Sequence, residues 1–256
     1  MVFFTLKKHF YISAFILLAI AMTHNLSFAG DQRLSFSVPP FSPFNGFDEQ
    51  SQCKGIGVLA IEKVTNTLNT PLKLAAFPYA RILNSLKNGE LDLALLFKNN
   101  TVTEDVEYIG PLSLEKIFIL TQPDTIIRQY KDLYQLTRIA VIRSAQFNKK
   151  FDQDKRLNKI SVNSYNQAIR LLKLNRINAV IGSKVGLEYA LYQEKVDEDI
   201  MANAFYLGTK ELGLHLAKKS PFISMKPLLE EAVKEAYQDD LLEQLYRQQM
   251  QYCANL

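Results

Sequence analysis

The chain is 256 residues long, with 48% hydrophobic residues, 10 glycines and 9 prolines. That composition describes an ordinary globular protein with a full core and excludes disordered or fibrous classes. Its 30 basic and 26 acidic side chains leave a formal charge of +4, too balanced for a nucleic-acid footprint, and no basic run or interleaved aromatic stripe supplies one.

The first stretch is laid out as a secretory signal. Lys7 and Lys8 give a positive start, Phe10 to Met22 an apolar run, and Ser27-Phe28-Ala29 the small residues that signal peptidase reads. The alternative is a membrane anchor, but a spanning helix needs about 20 apolar residues, and this run stops at Thr23-His24-Asn25. Cleavage after Ala29 is therefore expected, with a mature chain starting at Gly30 in the periplasm and no Cys after the cut for lipid attachment. The mature chain keeps 28 basic and 26 acidic side chains and a single histidine, His215.

Leu34 to Val38 alternates with period two and stops at Pro39-Pro40, a strand entering a loop. After that loop, Ile56, Leu59, Ala60, Lys63, Val64 and Leu68 have helical spacing, ended near Asn69-Thr70-Pro71. Leu72 to Ala76 reads as a second strand, residues 80–88 as a helix stopped by Gly89, and Leu91 to Phe97 as an apolar strand. The β-α-β-α-β order is that of a parallel sheet covered by helices. The pattern then recurs: a strand at Ile139 to Ile142, a helix starting at Ser144, a strand at Lys159 to Val162, a helix over residues 165–174 and a strand at Ile177 to Ile181.

The two halves agree at a spacing of 86, with Tyr79 matching Tyr165, Leu86-Lys87 matching Leu172-Lys173, and Gly89 matching Asn175. Gly and Asn are the residues that tolerate the left-handed conformation closing a helix. A repeat of this length predicts two similar α/β lobes, each a mostly parallel sheet flanked by helices. Glu211 to Ala217 reads as a further strand, and helices fill Phe222 to Cys253. That tail is too small for a third domain and has one apolar face, at Leu228, Leu229, Ala232, Val233, Ala236 and Tyr237, to bury on the first lobe. The expected division is residues 30–116 with 215–256 as lobe 1 and residues 122–208 as lobe 2. Two crossings, 117–121 and 209–214, form the hinge.

The chemistry-bearing residue types are sparse. Cys53 and Cys253 are the two cysteines of the chain; in an oxidising compartment they form a disulfide or remain two buried thiols. No HExxH or CxxC spacing exists, so no metal is expected, and His215 between Leu214 and Leu216 reads as a solvated or hydrogen-bonded strand residue. Gly55-Ile56-Gly57-Val58-Leu59-Ala60 fits a dinucleotide pattern but lies far from the end of its strand, so no cofactor is expected.

These residues together resemble the type II periplasmic solute-binding proteins of the amino-acid-binding cluster (bacterial extracellular solute-binding protein family 3). The resemblance covers almost all of the mature chain. It is carried by Pro39-Pro40-Phe41, Gly55-Ile56-Gly57, the run Ala76-Phe77-Pro78-Tyr79-Ala80-Arg81 on to Leu91-Asp92, and Tyr108-Ile109-Gly110-Pro111. Ile139 to Ser144 and Leu172 to Ile181 carry it through the second half. It implies a small-molecule ligand between two hinged lobes, a monomer, and an ABC permease or membrane receptor as partner. An amino-acid-binding member is also expected to have an Arg shortly after the third strand and an Asp after the last strand of lobe 2. This chain has Lys98-Asn99-Asn100 and Ile181-Gly182-Ser183 there. With guanidinium and carboxylate both missing, a standard α-amino acid is a poor fit.

Ligands of such sheets bind beyond the carboxyl ends of the strands. That rule selects Phe41, Phe44, Phe77 and Tyr79 as apolar faces and Lys98 as a point charge. It also selects Arg143 with Ser144 as an anion-receiving turn at a helix start, together with Ser164 and Ser183. Arg81 reads as a structural helix-surface residue. The expected function is solute capture for an ABC transporter. The alternatives are a sensory ligand-binding module and a dehydratase-like periplasmic enzyme, for which only Asp48 and Glu49 in the first loop offer carboxylates.

Overall fold

The computed structural model describes residues 33–47, 53–66, 68, 70–99 and 101–253. The expected signal segment and the pair Asp48 and Glu49 lie outside them. Eight strands form a single mixed sheet in the order β2-β1-β3-β8-β4-β7-β5-β6.

One wing of the sheet holds β1 (Leu34–Ser37), β2 (Leu72–Leu74) and β3 (Leu93–Phe97), with β1 parallel to both neighbours. Helices α1 (Ile56–Thr65) and α2 (Tyr79–Asn88) make the crossovers. The other wing holds β5 (Ile139–Ile142), β6 (Lys159–Val162) and β7 (Ala179–Ser183), again parallel. Short α3 (Lys149–Gln153) and α4 (Tyr165–Lys173) cross over there, and α5 (Lys184–Gln193) follows β7. This is the two-lobed α/β architecture that the repeat predicts.

Two long antiparallel strands, β4 (Val106–Thr121) and β8 (Phe205–Ala217), join the wings. β8 pairs with β3 at one end of its length, and β4 pairs with β7 at the other. Tyr108 to Pro111, one of the segments that carry the resemblance, lies inside β4 as an irregularity: register shifts fall between Tyr108 and Gly110 and between Pro111 and Ser113. The C-terminal helices α6 (Lys226–Ala236) and α7 (Leu241–Cys253) pack on α1 and β4. Cys53 and Cys253 are bonded, with Cα atoms 6.2 Å apart.

The repeat is visible in hydrogen bonds. Gly89 has φ +77° and Asn175 φ +54°, both left-handed. The Gly89 N–H donates to the Leu86 carbonyl and Glu90 to Ser85; 86 positions later Asn175 donates to Leu172 and Arg176 to Leu171. Each pair closes a helix by satisfying its last carbonyls. Just beyond, Asp92 accepts from the Ser35 N–H at 2.9 Å and its hydroxyl at 2.6 Å. Asn178, the matching residue, accepts from the Thr137 N–H at 3.0 Å and its hydroxyl at 2.7 Å. The same buckle thus fixes where the first strand of each wing begins.

The helix expected to start at Ser144 departs from the sequence reading. Ser144 starts no helix: it sits in a turn with φ +65°, and α3 begins five residues later. Asn148 is the actual cap, its side-chain oxygen accepting from the N–H groups of Lys150 at 3.0 Å and Phe151 at 3.2 Å. An Asn there satisfies two orphan donors, and the Ser144 turn keeps no helix terminus to offer an anion.

Candidate functional site

The carboxyl ends of both wings face each other across a void of only about 10 Å³. Phe41 and Phe44 arrive on the loop after β1, Phe97 ends β3, and Tyr79 begins α2. From the other wing come Ile142 at the end of β5, Ala145 and Phe147 in the following turn, and Tyr165 at the start of α4. The rings meet edge to face: Phe41 on Tyr165 with centroids 5.1 Å apart, Phe41 on Phe44 at 5.7 Å, and Phe97 on Phe147 at 5.8 Å. Such pairs are each worth about 0.5–1.5 kcal/mol beyond the area they bury. The aromatic plug therefore holds the wings together.

Two larger clefts flank the plug. One, about 550 Å³, runs between the Ala80–Lys87 face of α2 and the turn containing Ser144 and Gln146, with Asp152 and Lys159 behind it. The other, about 870 Å³, lies between the loop Pro40–Phe47 and the start of α4, where Ser164, Asn166 and Arg170 stand. Both have the size of ordinary small-molecule sites, and the plug separates them.

Phe41, Phe44 and Tyr79 thus come together at the void, Ser144 lines one flanking cleft and Ser164 the other. Ser164 also caps α4, accepting from the Gln167 N–H at 3.1 Å. Ser183 is fully buried behind the void: it caps α5, and its own N–H donates to the Tyr165 hydroxyl at 3.2 Å. Phe77, Lys98 and Arg143 line neither the void nor the clefts. Phe77 is covered by the Arg81 guanidinium, 4.7 Å from its ring centre. Lys98 pairs with Glu211 at 3.0 Å and lies over the Tyr108 ring. Arg143 is exposed at the end of β5, its N–H taken by the Val162 carbonyl.

Phe97, Phe147 and Tyr165 also line the void without having been singled out from the sequence. A signal for Tyr165 existed, because it is the repeat partner of Tyr79; Phe97 ends an apolar strand and Phe147 closely follows one.

The electrostatics are those of neutral groups. Burial pushes the Tyr165 phenol up to about 12, partly countered by the Ser183 N–H, and burial next to Tyr165 pushes Tyr79 higher still. The first turn of α1 is no anion site, because the Ile56 and Gly57 N–H groups donate to the carbonyls of Pro43 and Phe44 at 2.9 Å. A Cβ on Gly55 would strike that same Phe44 carbonyl, which accounts for the glycine. His215 is buried in β8 with Nδ1 3.1 Å from the Gly213 carbonyl; burial lowers it to about 4, which keeps it neutral, and it does not line the void. Among the described residues, no three His, Cys, Asp or Glu side chains cluster as metal ligands, and no helix is long and apolar enough to cross a membrane.

No protein-family model and no curated protein sequence matches the chain. Solved structures do. A Salmonella typhimurium periplasmic binding protein of high arginine specificity superposes with TM-score 0.64 at 16% identity, over 86% of this chain and 99% of that one. An ancestral amino-acid-binding protein, a precursor of cyclohexadienyl dehydratase, gives 0.67 at 14% identity, over 84% and 94%. The substrate-binding protein of an amino-acid ABC transporter gives 0.63 at 14% identity, over 86% and 97%. The chain has the fold of the amino-acid-binding periplasmic proteins.

Proposed function

We propose that this chain is an exported solute-binding protein that closes two hinged lobes on a small molecule for delivery to an ABC permease. Lobe 1 would be residues 30–116 with 215–256 and lobe 2 residues 122–208, with 117–121 and 209–214 as the hinge. Hinge closure around a ligand is the motion for which periplasmic binding proteins are the reference case. The observation carrying the reading is the convergence of Phe41, Tyr79 and Phe97 from one wing with Phe147 and Tyr165 from the other, at the strand ends where open α/β sheets bind ligands. Binding rather than catalysis suits a void whose titratable groups are two phenols raised far from neutrality, since acid–base work needs a group poised near the working pH.

The ligand is not a standard amino acid in this reading. After β3, Lys98 is taken by Glu211, and Asn99 turns back to accept from the Thr101 N–H and hydroxyl. Losing charge-assisted hydrogen bonds at both ends of a zwitterion, about 1.5–3 kcal/mol each, moves a micromolar complex toward millimolar. Thermal-shift screening of the purified protein against a solute library, followed by calorimetry, tests this. A solute present at 100 times its dissociation constant should stabilise the fold by about 2.7 kcal/mol. A micromolar isotherm with any of the twenty amino acids would contradict the ligand assignment.

A further inference from the structure

Among the residues lining the void between the wings, Tyr79 carries a hydroxyl that bonds to nothing. Tyr79 is 5% exposed, and its hydroxyl has no hydrogen-bond partner. Its counterpart Tyr165 is satisfied by the Ser183 N–H. Native proteins rarely leave a buried hydroxyl unpaired, because doing so forfeits its hydration without return. The geometry points to a ligand that is uncharged, has a ring-shaped apolar body, and presents one hydrogen-bonding group such as a carbonyl to Tyr79. This rests on the cleft being the solute site and narrows the ligand's class.

Charge supports it. Phe41, Phe44, Phe97, Phe147 and the two tyrosines offer a zwitterion nothing to offset its desolvation. Several charged groups of the flanking clefts are already committed. Asp152 accepts from the N–H groups of Phe147 and Asn148, Lys159 donates to the carbonyls of Phe151 and Asp152, and Arg170 pairs with Glu194 at 3.4 Å.

Volume supports it too. A space of about 10 Å³ is at the limit for one water molecule, so the wings must part before a solute enters. A ring slipped between Phe41 and Tyr165, or between Phe97 and Phe147, replaces one aromatic contact with two of the same kind. The unpaired hydroxyl then couples closure to occupancy. Closing empty leaves Tyr79 unsatisfied, opening returns it to water, and closing on a carbonyl satisfies it. A ligand drives closure only through such a difference between states.

Acetophenone and ethylbenzene share a ring and a shape and differ by one carbonyl, while phenylalanine carries the same ring on a zwitterion. Calorimetric titration of all three into the protein and into Tyr79→Phe, which keeps the ring and its packing, is the test. Acetophenone should bind roughly two- to tenfold more tightly than ethylbenzene, the ratio should fall to about one in Tyr79→Phe, and phenylalanine should not bind. A ratio that survives Tyr79→Phe overturns the role given to the hydroxyl. Phenylalanine as the tightest of the three overturns the ligand class and leaves the clamp standing. Absence of binding by all three overturns the inference, and takes the clamp with it only if the wider solute library also fails.

Discussion

Tyr79 and Tyr165 open equivalent helices 86 positions apart, yet only Tyr165 finds a partner for its hydroxyl. Tyr79→Phe should therefore stabilise the empty protein, by about 1 kcal/mol in urea unfolding; a comparable loss would mean that the hydroxyl is satisfied after all. Tyr165 is held from behind, because a Cβ added at Gly182 or Gly186 would run into its ring. Gly186→Ala should displace that ring and weaken solute binding more than it weakens the fold, which calorimetry and thermal melting together would read.

Glu115 carries a different prediction. It lies on β4 with 2% exposure, and burial raises its carboxyl from an ordinary 4.5 to about 7, against the opposing pull of the Ser113 hydroxyl, which donates to it at 2.9 Å. The folded chain holds this proton more tightly than the unfolded chain. Its contribution is thus fully present below about 4.5 and is lost as pH rises to about 7, on the order of 3 kcal/mol. His215 works in the opposite sense: burial depresses it from 6.5 to about 4, so stability is lost as pH falls through that interval. The two slopes oppose each other in the wild type. Glu115→Gln removes one of them, so the variant should gain on the wild type by about 3 kcal/mol between pH 4.5 and pH 8. A pH-independent difference between the two urea midpoints would refute the assignment.

At the scale of elements, the helices with a single apolar face and the strands with unbroken apolar runs were legible. Strand β5 at Ile139–Ile142 and strand β6 at Lys159–Val162 have the bounds that the pattern gives, and α2 and α4 end at the residues that tolerate left-handed backbone. What misled is also physical. The crossings expected at 117–121 and 209–214 are parts of two strands long enough to serve both wings, with register irregularities at Tyr108 to Ser113 and at Ile117. Helix α5 shows no clear stripe, because Val185, Leu187, Tyr189, Ala190 and Leu191 are buried on several of its faces. Ser144 followed by a polar-containing run imitates a helix start, and only the two hydrogen bonds that the Asn148 side chain accepts reveal the stronger cap downstream.

The lining of the void was legible where the repeat or the strand-end rule pointed, at Phe41, Phe44 and Tyr79. It was illegible where a side chain's direction decides, as for Phe77, turned under Arg81, and Lys98, drawn to Glu211. The disulfide belongs to this scale as well. It closes a separation of 200 residues and pins the end of the loop that brings Phe41 and Phe44 to the end of α7. Replacing both cysteines by serine should lower stability by about 5 kcal/mol in the chain-entropy limit, read as a shift in the urea midpoint. No change in that midpoint would deny the bond a structural role.

For the whole molecule, the decisive feature is that the wings touch through rings while being joined by two strands. The aromatic contacts Phe41–Tyr165 and Phe97–Phe147 are made across the cleft. In addition α7 reaches α5, where Glu243 binds Lys184 at 3.0 Å and Tyr246 meets Tyr189. In the proposed clamp, opening would break the first set, and β4 and β8, the strands that join the wings, carry register irregularities where bending would be absorbed. An empty clamp that pays for closure with an unpaired Tyr79 should populate an open form, and a solute should remove it. The direct measurement is the distribution of distances between spin labels placed on exposed positions of the two wings, one at Asn88 on α2 and one at Lys173 on α4, with and without the solute found by calorimetry. Two populations in the empty protein that collapse to the shorter distance on binding is the result this account predicts. One unchanged distance in both states, with the solute bound, would contradict it.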